Sequence, residues 1–412
     1  MQGIERWCDT IYRVGRNPEI PGFGNGAPIG HEDYYIDRVM HFSKRLPAEL
    51  AVNALTRLLE AKRSTGAKVL DLTGSNPTTA GIVYPPGIVE TLADARALRY
   101  DPEPFGLFMA REAIAGEYAV RADRVILTAS TSEAYSWLFK LLCDPGDEVL
   151  IPRPSYPLFE HLAGLEAVRA RAYSLFFDHG WFIDFHTLRE AINERTRAII
   201  LVNPNNPTGH FLRRHERDEL LTLAARSGVA VISDEVFREY PLGAHADSVR
   251  TLDCAGDGAG EGLVFTLNGL SKSLGLPQMK LGWITASGDD RIVKEALSRL
   301  EIVADAYLSV GTPVQCALPA LLKLRHPVQD AILDRLRNNL ATLDASGVRT
   351  LPVEGGWTAV VCGIPDALEL LRDHDILVQP GYFYDFEDSS RTVISLLTHP
   401  DVFSAVLALK YI

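Results

Sequence analysis

The sequence has little cysteine, and its five thiols, Cys8, Cys143, Cys254, Cys316 and Cys362, are odd in number, far apart and without a CxxC pair. That argues against a disulfide framework and for reduced thiols in a cytoplasmic protein. No segment offers the roughly 18 uncharged apolar residues that a membrane span needs. The N-terminus, Met1-Gln-Gly-Ile-Glu-Arg-Trp-Cys8, lacks the basic-then-apolar layout of a signal peptide. Positive charge is also short. Against 53 Asp and Glu there are 41 Lys and Arg, a formal net charge of −12, which disfavours binding to nucleic acid or a membrane surface. The eleven histidines contain no HxxxH or HxH pair, and His210 and His215 flank basic residues, so no metal site is expected. No GxSxG elbow is present, which leaves nucleophilic hydrolysis without an evident apparatus.

A chain of 412 residues with 47% hydrophobic and 23% charged side chains is an ordinary globular composition, long enough for two unequal domains. Residues 1–34 are the least regular. Their Gly22-Phe-Gly-Asn-Gly-Ala-Pro-Ile-Gly30 lacks GxGxxG spacing and no strand precedes it, so a flexible arm is expected there rather than a nucleotide site. Leucines at helical spacing predict a helix over Ala48–Glu60, ending near Gly66, then a short strand over Val69–Leu72. From about Glu90 to Ser309 helical and strand patterns alternate. That implies an α/β fold with a mostly parallel sheet covered by helices on both faces. After Pro313 a long helical region runs to Leu343, followed by candidate strands in Glu354–Val361 and Thr392–Leu397. There is no internal repeat and no low-complexity tract.

Three buried-strand patterns end in polar groups. Ala198–Val202 runs into Asn203-Pro-Asn-Asn-Pro-Thr-Gly209, Val229–Ser233 into Asp234-Glu-Val-Phe237, and Leu263–Leu267 into Asn268-Gly-Leu-Ser-Lys272-Ser-Leu-Gly-Leu-Pro-Gln-Met-Lys280-Leu-Gly-Trp283. Together they place an amide, a carboxylate and an amine, in that chain order, where α/β folds keep their chemistry. Short motifs match by chance when isolated; three in register seldom do.

These strings resemble the class I/II aminotransferases, pyridoxal 5'-phosphate (PLP) enzymes of fold type I, over a stretch from about Leu46 to the C-terminus. The resemblance implies a large PLP-binding domain over 89–309. It implies a smaller α+β domain assembled from 35–88 and 310–412, with the arm at 1–34 outside both. It makes Lys272 the Schiff-base lysine and proton carrier, and Asp234 the partner of the pyridine nitrogen. Asn206 is then the donor to the cofactor's phenolic oxygen, with a purely structural turn stiffened by Pro204 and Pro207 as the competing reading. Ser130, Thr131 and Ser132, between the strand Val125–Leu127 and a helix starting near Glu133, would receive the phosphate at a helix N-terminus; a plain cap is the alternative. Tyr156 corresponds to the aromatic that stacks on the ring. Tyr100 corresponds to a tyrosine that reaches the neighbouring subunit's phosphate, which implies a homodimer. Asn76, Trp357 and Tyr382 are weaker candidates for the substrate pocket.

Departures from the family pattern bear on chemistry. Lys280 stands where arginine is usual, keeping the charge but losing the bidentate fork. Phe237 replaces a tyrosine that donates to the phenolic oxygen, and its loss is expected to raise the pKa of the lysine–cofactor linkage unless Tyr240 compensates. The arginine for the substrate α-carboxylate lies two residues before the serine of the last small-domain strand; here that position is Val393. Arg391, one pleat away on the same face, either substitutes for it or is an exposed edge residue.

The resemblance implies an aminotransferase that passes the amino group of an amino acid to a 2-oxo acid in the cytoplasm, with no nucleic-acid or membrane partner. A PLP-dependent β-lyase, decarboxylase or biosynthetic cyclising enzyme on the same fold is the alternative, because bond choice depends on geometry that sequence does not show. A non-catalytic regulator of the same fold is the reading from another class. The acidic balance and the lack of an added helix-turn-helix domain weigh against DNA binding, and the retained lysine weighs against a dead site.

Overall fold

The computed structural model describes residues 42–47, 51–243, 245–252, 262–388 and 390–411. The arm expected over 1–34, with Cys8, and Cys254 lie outside the described residues. In chain order the strands are β1 (Leu70–Asp71), β2 (Val125–Thr128), β3 (Glu148–Arg153), β4 (Arg169–Phe177), β5 (Trp181–Ile183), β6 (Thr196–Val202) and β7 (Ala230–Asp234). They continue with β8 (Leu263–Gly269), β9 (Gly282–Gly288), β10 (Arg349–Thr350), β11 (Thr358–Cys362), β12 (Ile376–Leu377), β13 (Gln379–Pro380) and β14 (Arg391–Ser395).

Eight strands form one sheet in the order β2-β9-β8-β7-β6-β3-β4-β5. The run β8-β7-β6-β3-β4 is parallel, while β9 runs against both β8 and β2, and β5 against β4. The α/β expectation is met, and its cause is visible in the sequence: β6 and β7 are near-continuous apolar runs because helices cover both of their faces. Parallel pairing brings the C-terminal ends of β6, β7 and β8 to one edge, where Val202 pairs with Asp234 and Asp234 with Leu267. Polar residues that follow these apolar runs therefore emerge side by side.

A four-stranded antiparallel sheet in the order β10-β11-β14-β13 lies in the C-terminal part of the chain. The N-terminal elements meet the same part of the chain through a separate two-stranded sheet, in which β1 pairs in parallel with β12, and Lys62 Nζ reaches Asp375 Oδ1 at 2.5 Å. The first described helix covers Ala54–Ser64, so it starts later than the leucine spacing predicts. Asn53 Oδ1 accepts from the Thr56 amide at 2.8 Å, the N-cap arrangement that starts a helix at the next residue. The long helical region after Pro313 is two helices, Thr312–Lys323 and Arg325–Ser346.

Candidate active site

Lys272 sits on the single helical turn Leu270–Ser273 that follows β8 directly. A turn this short gives its carbonyls few backbone partners, and side chains from distant segments add further donors. Tyr240 donates to the Lys272 carbonyl at 2.5 Å, Gln329 Nε2 to that of Ser273 at 2.8 Å, and Tyr84 to that of Gly275 at 2.5 Å. The lysine's ammonium nitrogen lies over the Trp357 ring, 4.7 Å from its centroid, and 5.6 Å from that of Phe237. These two rings meet edge to face at 5.4 Å, so the amine is presented by an aromatic wall.

Asp234 closes β7 and is buried. Its Oδ2 accepts from the Tyr135 hydroxyl at 3.1 Å and its Oδ1 from the Val236 amide at 3.2 Å. Burial pushes its carboxyl up to about 6, against the pull of those two hydrogen bonds and of the Lys272 charge. Lys272 and Asp234 are therefore electrostatic neighbours, and the carboxylate is ionised at neutral pH. Phe159 touches Tyr135 at 5.4 Å and Tyr156 at 5.8 Å between ring centroids, which sets the Tyr156 ring beside this network.

The asparagines of the loop after β6 have separate fates. Asn203 uses its amide on the Leu212 N–H and the Val249 carbonyl. Asn205 uses its own on Ser155, Thr208 and the Pro154 carbonyl. Asn206 Oδ1, in contrast, is buried with no hydrogen-bond partner. An unpaired buried oxygen carries a desolvation cost, and the loop tolerates it only here.

Ser130 caps the helix Thr131–Leu142, its Oγ accepting from the Glu133 amide at 3.2 Å. Glycine pairs hold the neighbouring backbone close: a Cβ on Gly269 would lie 2.9 Å from Gly282 Cα, and one on Gly282 would lie 3.3 Å from the Ser130 carbonyl carbon. The start of this helix, the turn of Lys272 and the residues after Lys280 thus meet through bare backbone. Lys280 itself is exposed, in a left-handed conformation with φ 50°.

The C-terminal sheet closes the other side. Leu396 N donates to the Trp357 carbonyl at 2.8 Å, and Thr358 pairs with Ser395. Thr358 Oγ1 donates to the Pro207 carbonyl at 3.0 Å, next to Asn206, while Ser395 Oγ donates to the Gly74 carbonyl at 2.6 Å, two residues from Asn76. Trp357 Nε1 and Asn76 Nδ2 are both buried and unpaired. The segments that carry Asn206 and Asn76 are thus tied to the Thr358–Ser395 pair next to Trp357, whose ring lies under the Lys272 amine.

Residues 67–409 match the family model described as aminotransferase class I and II. The chain belongs to this family. It is 30% identical over 276 residues to the glutamate-pyruvate aminotransferase AlaA of Escherichia coli strain K12, covering 64% of this chain and 66% of that protein. To human tyrosine aminotransferase it is 27% identical over 339 residues, 76% of this chain and 69% of that one. Among solved structures, an alanine aminotransferase from Pyrococcus furiosus superposes with a TM-score of 0.78 at 24% identity, over 90% of this chain and 100% of that chain. The fold is that of the type I PLP-dependent aminotransferases.

For a member of this family, Arg391 is in an unexpected place. It pairs with Cys362 at the far end of β14, four residues from Ser395, about 13 Å along an extended strand. Its guanidinium lies over Trp181 and Phe386, 5.5 and 5.4 Å from their centroids, with Asp388 Oδ2 at 3.5 Å. Stacking and an acidic neighbour hold it there, so Arg391 does not stand in for the missing arginine. Val393 is fully buried in the apolar cluster that includes Trp181. Tyr382 is 55% exposed and packs on Phe383, and Tyr100 is 75% exposed. Tyr240 does not replace the donor lost at Phe237, because its hydroxyl is committed to the Lys272 backbone. Sequence reasoning missed Tyr135, Tyr84 and Gln329. Of these only Tyr135 carries a local signal, lying one helical turn beyond Thr131 and Ser132 at the capped N-terminus.

Proposed function

We propose that this chain is a PLP-dependent aminotransferase that moves the amino group of an amino acid to a 2-oxo acid. The observation that carries the reading is the placement of Lys272, on the turn after β8, and the buried carboxylate of Asp234, at the end of the neighbouring strand β7, near enough for the lysine's charge to favour the carboxylate. The unpaired Asn206 oxygen and the glycine-lined approach beside Ser130 fit the same cofactor. When bound, PLP supplies an aldehyde that captures amines and a pyridine ring that takes up electrons from the α-carbon.

In this reading Asp234 would hold a proton on the ring nitrogen, Tyr156 would pack against the ring, and Asn206 Nδ2 would donate to the phenolic oxygen. Ser130, Thr131, Ser132 and Lys280 would receive the phosphate, Lys280 as a point charge. Lys272 Nζ would be the amine that holds the cofactor's aldehyde carbon, and would serve as the base for the proton of the donor's α-carbon. Asn76 and Trp357 face the substrate. Residues 89–309 are the large domain, and 35–88 with 310–412 the smaller one. A homodimer, with Tyr100 reaching its neighbour's phosphate, is supported by the large apolar side chains exposed along one stretch: Val83, Val89, Leu98 and Tyr100. A cytoplasmic site accords with Cys143, Cys316 and Cys362 being free thiols.

The test is covalent trapping: borohydride reduction of the PLP-loaded protein, proteolysis and mass spectrometry. The expected label is on the peptide carrying Lys272. A label confined to another lysine would refute the assignment.

A further inference from the structure

With Val393 where the family carries arginine, the polar atoms near Lys272 have an unusual chemistry. Trp357 is 2% exposed, and its Nε1 is a buried polar atom without a partner, as are Asn76 Nδ2 and Asn206 Oδ1, which lie on segments that bond through Gly74 and Pro207 to the Ser395 and Thr358 pair beside it. Two are neutral donors and one is a neutral acceptor, and Lys272 Nζ lies 4.7 Å from the Trp357 ring centroid. On the same strand face as Ser395, Val393 contributes only hydrocarbon, and Arg391 is held by Trp181, Phe386 and Asp388. A carboxylate has no hydrogen to give to Asn206 Oδ1. A carboxamide has both an oxygen for the indole and amide donors and an N–H for the asparagine oxygen.

We propose that this set of neutral polar atoms reads a neutral planar group beside the amino-bearing carbon, so that α-amino carboxamides serve as amino donors alongside α-amino acids. The inference rests on the aminotransferase reading and narrows its substrate class. The step keeps the family's stoichiometry. The donor gives up its amino group and its α-hydrogen, the latter as a proton, and ends as a 2-oxo carboxamide whose new oxygen comes from water. A 2-oxo acid takes the amino group and a proton and releases its keto oxygen as water. A charged guanidinium would favour the acid strongly; neutral donors bind a carboxylate oxygen and an amide oxygen with similar strength.

The experiment uses the PLP-loaded enzyme. The twenty proteinogenic L-amino acids and their α-carboxamides are compared by the rate at which each discharges the visible cofactor band. For the most reactive pair, kcat/KM for the carboxamide is expected within about thirtyfold of that for the acid, the range spanned by neutral hydrogen-bond differences. Trp357→Phe, which keeps the ring and removes only the indole N–H, should raise KM for both by about five- to twentyfold with a smaller change in kcat. Arg391→Gln should leave the acid-to-amide ratio unchanged. An acid preference beyond about thirtyfold, or one that Arg391→Gln abolishes, overturns the proposal. If no compound discharges the band although it forms, the aminotransferase reading fails instead, so the two failures are distinguishable.

Discussion

The Tyr240 hydroxyl donates to the carbonyl of Lys272 itself, at 2.5 Å. It therefore fixes the lysine's backbone and has no hydrogen left for a cofactor oxygen. Restoring the lost donor at its own position is the informative change. Phe237→Tyr is expected to lower the pKa of the lysine–cofactor band by about one unit, because a donor to an anionic oxygen favours the anion. Tyr240→Phe should leave that pKa in place while lowering stability by about 1 kcal/mol through the loss of one hydrogen bond. A spectrophotometric pH titration of each variant, with a thermal melt, reads both effects.

Asp234 links pH to cofactor binding. Its carboxyl, pushed up to about 6 by burial, is ionised above that value and protonated below it. Affinity for PLP should therefore fall roughly tenfold per pH unit below about 6, as the ionised fraction falls. The sign for the cofactor-free protein is opposite. A carboxyl whose folded pKa is raised contributes stability below its unfolded pKa that is lost as pH rises through about 6. Asp234→Asn should flatten both profiles and reduce turnover by at least about 100-fold, checked by fluorescence titration with PLP and by steady-state rates.

Glu239 makes a second pH-dependent contribution away from the chemistry. Burial raises its carboxyl to about 7, against Arg238, its own backbone, the Tyr118 hydroxyl and the Asn268 amide, and its Oε2 is unpaired. The stability it allows is present at pH 4.5 and lost as pH rises through about 7. Glu239→Gln should raise the melting temperature at about pH 8 and not at about pH 5, with a gain of about 1–3 kcal/mol from the size of the shift.

Gly269→Ala tests the close approach under the lysine. The new methyl would sit 2.9 Å from Gly282 Cα and 3.1 Å from the Leu281 oxygen, both backbone atoms that have no rotamer to escape by. The expected loss is about 1–3 kcal/mol of stability together with weaker PLP binding, measured by denaturant unfolding and by cofactor titration.

Much of the scaffold was legible because apolar runs are long where both sheet faces are covered. β6, β7 and β8 read directly as buried strands, and the polar residues after each run stand at the sheet edge by necessity. β4 was not legible: its burial alternates irregularly and it carries two arginines, so no run marks it. The contacts that hold Lys272 were illegible for another reason. Tyr84, Tyr240 and Gln329 are 191, 32 and 56 residues from their partners, and one residue's spacing says nothing of such distant contacts. Arg391 shows the limit of period-two reasoning, which placed it on the correct strand face but missed the stacking on Trp181 that diverts its side chain.

The most direct test of the account is the visible spectrum of the PLP-loaded protein while single amino acids are added without a 2-oxo acid. The account predicts a lysine-dependent band that discharges with an active donor, returns when a 2-oxo acid is added, and fails to make that cycle in Lys272→Ala. A Lys272→Ala protein that cycles at the full rate, or a wild-type band that discharges to give ammonia without the aminated cofactor, would contradict it.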